Sequence, residues 1–147
     1  MSGLESRFPE ADASPGFLLW QVTNAWQRRV RAALAPQDLT HVQFVLLATL
    51  LSLQPAPVTQ RQLSDAAGTD AMMTSQVLRG LEQRSLVTRL PHPTDRRAVL
   101  VTLTDKAETL INAANRAVED ADVEFFSTLG STGLDRFVGL LRELRAP

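Results

Sequence analysis

The segment from residue 59 to residue 104 places the tightest limits on how this chain can fold. It contains two short helical patterns about three residues apart, followed by two segments rich in β-branched residues. Gly68 suits the left-handed end of the first helix, and Thr69 or Asp70 can cap the second. The pattern therefore predicts a helix-turn-helix followed by a β-hairpin. This is the outline of a winged DNA-binding unit, whose second helix enters a major groove.

The two predicted helices differ in what they offer to a partner. The first begins with a capping box, Thr59 to Gln62, and is expected to bury Leu63, Ala66 and Ala67. The second spans residues 70–84, and its expected apolar stripe consists of Met73, Val77, Leu78 and Leu81. Its other side carries side chains suited to base edges and phosphates, namely Ala71, Met72, Ser75, Gln76 and Arg79. A plain solvated face is the alternative interpretation of these residues.

The hairpin is predicted from two strand-like segments, residues 86–90 and 98–103. Prolines and Asp95 between them favour a turn, which puts Arg96 and Arg97 near the tip. An arginine at such a tip can reach the neighbouring backbone or minor groove.

Further helices are predicted on both sides of this unit. One runs from Pro15 to about Ala35 and is stopped by Pro36, and a nearly all-apolar one follows a capping box at Thr40. The second of these is expected to be central and buried. After residue 104, a long helix to about 128 and a last one over 131–145 are predicted, and residues 1–14 are predicted to form a flexible arm.

Composition limits the classes of function. The chain has 147 residues, which suits a single core, and it has no cysteine. Disulfides, thiolate metal sites, cysteine catalysis and thiol-based redox sensing are therefore excluded. No apolar run approaches the about 18 residues that span a membrane, and the N-terminus lacks the features of a signal peptide. We predict a cytoplasmic location.

Charge is distributed unevenly along the chain. The net charge is −1, but residues 59–104 contain six arginines and four acids, whereas residues 105–147 contain five basic and eight acidic residues. A basic middle beside an acidic C-terminus fits a DNA-facing module joined to a part that faces away from DNA. Chance is the alternative explanation for so small an excess.

The chain resembles the MarR (multiple antibiotic resistance regulator) family of bacterial transcription factors. Residues 95–104, DRRAVLVTLT, follow that family's wing pattern, and the segment from Gln62 to Arg89 follows its recognition unit. Order and length of the elements agree over about residues 17–145. The resemblance implies a mainly α fold with a small β-hairpin wing, a winged helix-turn-helix that dimerises through its N- and C-terminal helices.

The resemblance also implies roles for parts of the chain. Residues 15–147 would form one domain, with a DNA-binding lobe at about 37–104 and dimerisation helices at 15–36 and 105–147. Two lobes would then straddle successive turns of a pseudo-palindromic operator. Arg97 corresponds to the wing arginine that enters the minor groove, and Asp95 to the acid that braces it, although Asp95 also suits a simple turn residue. The full predicted DNA-binding set is Ala71, Met72, Ser75, Gln76, Arg79, Arg84, Asp95, Arg96 and Arg97.

Two positions depart from that family's pattern. Ser85 lies at a position where the MarR family often has glycine, and a left-handed conformation would strain a serine there. Gly80 lies inside a predicted helix, where glycine costs about 1 kcal/mol relative to alanine or permits a close approach.

We predict that the chain is not an enzyme and holds neither metal nor cofactor. Its two histidines, His41 and His92, lack a second histidine at metal spacing, and there is no Gly-rich phosphate loop or nucleophile elbow. The carboxylates of residues 119–124 are interpreted as a solvated helix face. For a small aromatic ligand, the candidate lining residues are Trp20, Asn24, His41 and Phe44, although tryptophans are more often core residues.

The chain is predicted to be a homodimeric DNA-binding regulator that represses transcription. A small aromatic ligand is predicted to relieve this repression. One alternative is a winged helix used only for protein–protein contact. Another is a ligand-binding module without an effect on DNA.

Overall fold

The computed structural model describes residues 3–146, and it confirms the predicted winged helix-turn-helix class. It contains six α-helices: α1 (Pro15–Leu34), α2 (His41–Leu53), α3 (Gln60–Ala67), α4 (Ala71–Gln83), α5 (Asp105–Phe126) and α6 (Gly130–Arg145). One antiparallel sheet contains three strands: β1 (Val58–Thr59), β2 (Val87–Pro91) and β3 (Val99–Leu103). Short 3₁₀ turns occupy Ala11–Ala13, Ala35–Gln37 and Ser127–Leu129.

Side-chain caps fix where five of the described helices begin, α1 to α5, and at α1 the Ser14 hydroxyl accepts from the Phe17 amide at 3.3 Å. At α2 the Gln43 amide donates to the Thr40 hydroxyl at 3.2 Å, and the Thr40 amide donates to the Gln43 side chain at 3.0 Å. The same reciprocal pair forms at the start of α3 between Thr59 and Gln62. Asp70 caps α4 and Thr104 caps α5. Both predicted capping boxes are confirmed, and each satisfies helix amides that would otherwise lack a partner.

The sheet holds the wing against the first helix of the helix-turn-helix. β2 and β3 pair from Val87 opposite Leu103 to Pro91 opposite Val99, which confirms the predicted hairpin. On its other edge β3 pairs with β1, with Val58 opposite Val101. Strand β1 was not predicted, because residues 58–59 look like a linker end and a helix cap.

The core is built around α2, as predicted. Phe44, Leu46, Leu47 and Leu50 on that helix are buried. Other elements close around it with fully or nearly fully buried side chains, namely Val30, Leu34, Leu63, Leu78, Leu81, Leu86, Val87, Val101 and Ile111. Burial of this apolar surface is the main term that stabilises the lobe and fixes the directions of α3 and α4.

Two details of the predicted burial are wrong. Ala66 on α3 is exposed and Ser64 is buried, while on α4 Met73 is 39% exposed and Thr74 is fully buried. The apolar periodicity did not include these hydroxyl residues, because a buried hydroxyl is acceptable only where hydrogen bonds satisfy it. Those hydrogen bonds cross the turn between α3 and α4, over four to ten positions, and an apolar periodicity does not show them.

The first and last helices leave large apolar side chains exposed. In α1 these are Phe17, Leu18, Leu19, Trp20 and Val22, and in α6 they are Val138, Leu140, Leu141 and Leu144. No residue of α6 is buried. Contiguous exposed apolar surface of this kind marks a contact with another macromolecule. In the N-terminal segment, residues 3–13 are exposed.

The end of α4 contains both departures noted in the sequence. Ser85 has φ 59°, the left-handed conformation expected for this position. A Cβ atom added at Gly80 would meet no atom within 4 Å, so no close approach to another part of residues 3–146 explains that glycine.

Candidate nucleic-acid interface

The first three turns of α4 present the side chains predicted to face DNA. Ala71, Met72, Gln76 and Arg79 are exposed, whereas Ser75 is half-buried. The opposite side of the helix is held in the core by Leu78 and Leu81, which are fully buried. The exposed side therefore has a fixed direction relative to the rest of the lobe.

A buried hydroxyl network fixes the front of α4 against α3. The Thr74 hydroxyl donates to the Asp70 carbonyl at 2.7 Å and lies 2.7 Å from the Thr69 hydroxyl. The Ser64 hydroxyl, 3.3 Å from that of Thr74, donates to the Thr69 carbonyl at 2.6 Å. Because these groups are shielded from water, each hydrogen bond replaces one that would otherwise be lost. The network locks the turn between the two helices, and the sequence pattern missed it.

The wing tip is ordered by contacts to its own backbone. The Asp95 carboxylate accepts from the Arg97 amide at 2.9 Å. The His92 ring nitrogen Nδ1 accepts from the Asp95 amide at 3.0 Å and from the Thr94 amide at 3.2 Å. These bonds leave the side chains of Arg96 and Arg97 exposed.

The expected bracing of Arg97 by Asp95 takes a different form from the one predicted. Within residues 3–146, ion pairs join only Arg29 to Glu124 and Arg89 to Glu82. Asp95 thus orients the backbone at Arg97 and leaves the guanidinium unpaired, because the two-residue separation suits a turn that closes on the amide. The geometry of Asp95 is that of a turn residue, which was the alternative interpretation of this position.

A groove lies between the wing and the helix-turn-helix. It has a volume of about 740 Å³ and is lined by residues from α3, from the start of α4 and from the wing. Arg61 and Arg97 face it together with Asp65 and Asp95, and Ala71 lies at its α4 side. The fold therefore brings the front of α4 and the wing tip to the same surface, although they are more than 20 positions apart in the sequence.

Arg84 is separated from this surface by its contacts. Its guanidinium donates to the Asp38 carbonyl at 2.7 Å and lies 3.5 Å from the Gln43 side-chain oxygen. The ammonium group of Lys106 donates to the Arg84 carbonyl at 3.2 Å. Arg84 therefore ties the end of α4 to the turn before α2, and its contact with DNA stays a prediction. Its partner lies 46 positions away, which the sequence pattern could not reveal.

The structure does not gather the four predicted ligand residues into one cavity. Trp20 is 68% exposed, and Phe44 is buried in the core. The side-chain amide of Asn24 donates to the Trp20 carbonyl at 2.8 Å, a contact within α1. His41 lines a cavity of about 370 Å³, which it shares with Arg31, Ala35, Asp38, Leu39 and Thr40.

Trp26 is the tryptophan beside that cavity, and we did not predict it. Its indole nitrogen donates to the Asp122 carboxylate at 2.7 Å, and its ring meets the His41 ring edge-on at a centroid distance of 5.1 Å. Asp122 thus forms a contact between α1 and α5, and interpreting all carboxylates of residues 119–124 as solvated was wrong at this position. The sequence pattern gave no sign of this contact, because Trp26 and Asp122 are 96 positions apart.

Burial lowers the pKa of His41, and the positive charge of Arg31 lowers it further. The negative charge of Asp122 opposes this shift. A neutral imidazole is therefore favoured beside the cavity at neutral pH.

The described part of the chain contains neither a membrane-spanning helix nor a cluster of metal-binding side chains. No helix within residues 3–146 has the length and apolar character needed to cross a membrane. The same residues contain no group of three or more histidine, aspartate or glutamate side chains arranged to hold a metal ion.

Comparison with known proteins identifies relatives with the same architecture. Residues 39–99 match the sequence profile of the MarR family. The chain is 42% identical over 141 residues to YdcH of Bacillus subtilis, an uncharacterized HTH-type transcriptional regulator, and the match covers 95% of each protein.

Two solved structures are also similar. A mutant of Escherichia coli MarR complexed with operator DNA has a TM-score of 0.80 and 27% identity, over 88% of this chain and 92% of that one. BpsR of Bordetella bronchiseptica, whose DNA binding is regulated by 6-hydroxynicotinic acid, has a TM-score of 0.87 and 24% identity, over 99% of both chains. The second similarity concerns the fold alone.

Proposed function

The chain belongs to the MarR family of transcriptional regulators, and from this premise we propose that it is a homodimeric repressor of a pseudo-palindromic operator. In each protomer α4 enters the major groove, with Ala71, Met72, Ser75, Gln76 and Arg79 toward the bases and phosphates. Arg97 enters the neighbouring minor groove, and Arg96 contacts the backbone. Family membership favours this function over a winged helix that contacts only proteins.

The observation that carries this proposal is the shared surface of α4 and the wing tip. Four of the five α4 side chains and both wing arginines are exposed, and the groove between them is lined by Ala71 and Arg97. An unpaired guanidinium is attracted to the strong negative potential of a narrow minor groove. The buried Thr74 hydroxyl holds α4 in place, so little ordering entropy is lost when DNA binds.

The proposal of a homodimer is supported by the apolar residues that α1 and α6 expose. A second copy of the chain can cover both helices at once, and a two-fold axis presents the same surface from each protomer. We infer that residues 15–36 and 105–146 form this interface, while about 37–104 forms the DNA-binding lobe, and that the last predicted interface residue, Pro147, lies outside the described residues. A two-fold dimer then matches the two halves of a palindromic site.

We infer that the predicted aromatic ligand is a small acid bound in the cavity between α1 and α2. Arg31 supplies a positive charge there, and His41 supplies an aromatic ring. Titration with benzoate should change the fluorescence of Trp26, which contacts His41, and Arg31→Ala should abolish the change. Equal responses from both proteins would contradict this location.

Selection from random duplexes followed by footprinting tests the proposed function. We expect a protected pseudo-palindrome whose half-site centres lie about 10 base pairs apart, or a multiple of that spacing. The affinity should fall steeply with salt, because wing and helix arginines displace counterions from phosphates. Enrichment of no sequence over random DNA, at a fixed salt concentration, would overturn the proposal.

A further inference from the structure

Met72 is the most exposed large apolar side chain of the DNA-binding lobe. It is 80% exposed, compared with 59% for Leu90 on the wing and 39% for the neighbouring Met73. The other large apolar side chains exposed to a similar degree lie outside residues 37–104. An apolar side chain of this size gains free energy by leaving water, so contact with an apolar group at the front of α4 would be favourable.

Fraying of the helix end does not explain this exposure. Asp70 caps the helix by accepting from the Met73 amide at 2.9 Å, directly after Met72. Thr74, two positions further on, is fully buried and hydrogen-bonded to Asp70 and Thr69. Met72 is therefore held on a rigid turn, and α4 directs it outward.

The chemistry of Met72 restricts what it can contact in a major groove. A thioether donates no hydrogen bond and is a weak acceptor, so it discriminates poorly among the polar groups of the base edges. The one apolar group that the groove offers is the C5-methyl of thymine. Methionine is flexible and polarizable, which suits contact with a methyl group whose position varies slightly with DNA shape.

We propose that Met72 recognises the C5-methyl group of one thymine in each half-site, and so determines specificity for a T·A pair there. The inference rests on the proposed function, because it requires α4 to lie in the major groove. Gln76 lies one turn further along α4 and is also exposed. It is the residue type that pairs with adenine, which fits a neighbouring T·A or A·T pair.

Replacement of thymine by deoxyuridine tests this contact, because it removes only the methyl group. Each thymine of the selected operator is replaced in turn, symmetrically in both half-sites, and affinity is measured by fluorescence anisotropy at fixed salt. At one position we expect the affinity of the wild-type protein to fall by about fourfold per half-site, as for one buried methyl group. Met72→Ala should bind the thymine and uracil duplexes equally at that position.

Met73→Ala is the matched control. It removes the same atoms from the adjacent residue, and it should keep the preference for thymine. Wild-type binding that is indifferent to uracil at every position would overturn the inference while leaving the proposed function intact. A preference for thymine that persists in Met72→Ala would also overturn it. Failure to select any operator would instead overturn the proposed function itself.

Discussion

Helices α4 and α6 both expose large apolar side chains, but the two helices are held in different ways. In α4 the exposed Met72 stands on a helix whose other side is anchored by Leu78, Leu81 and the buried hydroxyl of Thr74. In α6 no residue is buried, and Leu144 is 78% exposed at its end. Its aromatic contact is a tilted one between Phe137 and Phe126, at 5.6 Å.

This difference indicates how each helix meets its partner. A helix fixed within its own chain can present single side chains at defined positions, which is what base recognition requires. A helix with an apolar stripe and no buried residue obtains its stabilisation from another surface. The lobe is therefore a preformed binding unit, whereas we propose that α6 obtains its burial from a second protomer.

The largest expected effect is that of Leu141→Asp on α6. A charge in the apolar interface carries a desolvation penalty of several kcal/mol, so we expect a monomer at micromolar concentration. Operator affinity should then fall by more than about 100-fold, because the two lobes no longer act as one ligand. Sedimentation velocity and anisotropy measure the two effects.

Ser131→Asp, which adds the same charge at an exposed position on α6, is the control and should leave the dimer intact. A Leu141→Asp protein that remains dimeric would mean that α6 is stabilised without a second protomer. That result would remove the distinction between the two helices.

Arg97→Ala should weaken operator binding at least about tenfold while the dimer persists. The substitution removes a charged contact with the minor groove and leaves the apolar helices unchanged. Anisotropy at fixed salt measures the affinity, and light scattering measures the mass. Arg116→Ala removes the same charge from an exposed position on α5, and it should bind as the wild type does. Equal losses in both variants would assign the effect to net charge alone.

The smallest effect is expected from Ser85→Gly, just beyond α4. Ser85 has φ 59°, and glycine adopts this conformation without the steric cost of a Cβ atom. We expect stabilisation by about 0.5–1 kcal/mol, with unchanged dimerisation and DNA affinity. Urea unfolding at a concentration that keeps the dimer intact gives the value.

Gly80→Ala is the companion variant. It replaces glycine by a residue with a Cβ atom, whereas Ser85→Gly removes the Cβ atom. A Cβ atom at Gly80 has open space, and alanine is favoured over glycine in a helix by about 1 kcal/mol. Both variants should therefore be more stable than the wild type. Loss of stability in either would show that the end of α4 is less fully fixed within its chain than the geometry indicates.

Much of the fold was predictable because its signals are local. The capping boxes at Thr40 and Thr59 involve residues three positions apart, and Gly68 ends α3 in the left-handed conformation that its position suggested. The wing was predicted from the strand propensity of its two segments. The buried character of α2 follows from an almost unbroken apolar sequence.

The remaining features depend on contacts between different elements of the fold, which an apolar or charge pattern does not show. Thr74 is buried because the Ser64 and Thr69 hydroxyls satisfy it, whereas an apolar pattern favoured Met73. Arg84 resembles a DNA contact in sequence, yet the Asp38 carbonyl takes up its guanidinium. Trp26 became recognisable only through Asp122 and His41. In each case a partner found in three dimensions decides the role of a polar or aromatic side chain.

The pairing of β1 with β3 has a mechanical consequence for the proposed complex. Val58 and Thr59 pair with the wing strand β3, and Thr59 also caps α3. The hydroxyl network then joins α3 to α4. The base of the wing and α4 are therefore joined through α3, and we expect them to move together when DNA binds. Each protomer then measures a fixed length of DNA within its half-site. We expect an operator with altered length between the half-sites to be accommodated mainly by rotation of one protomer against the other.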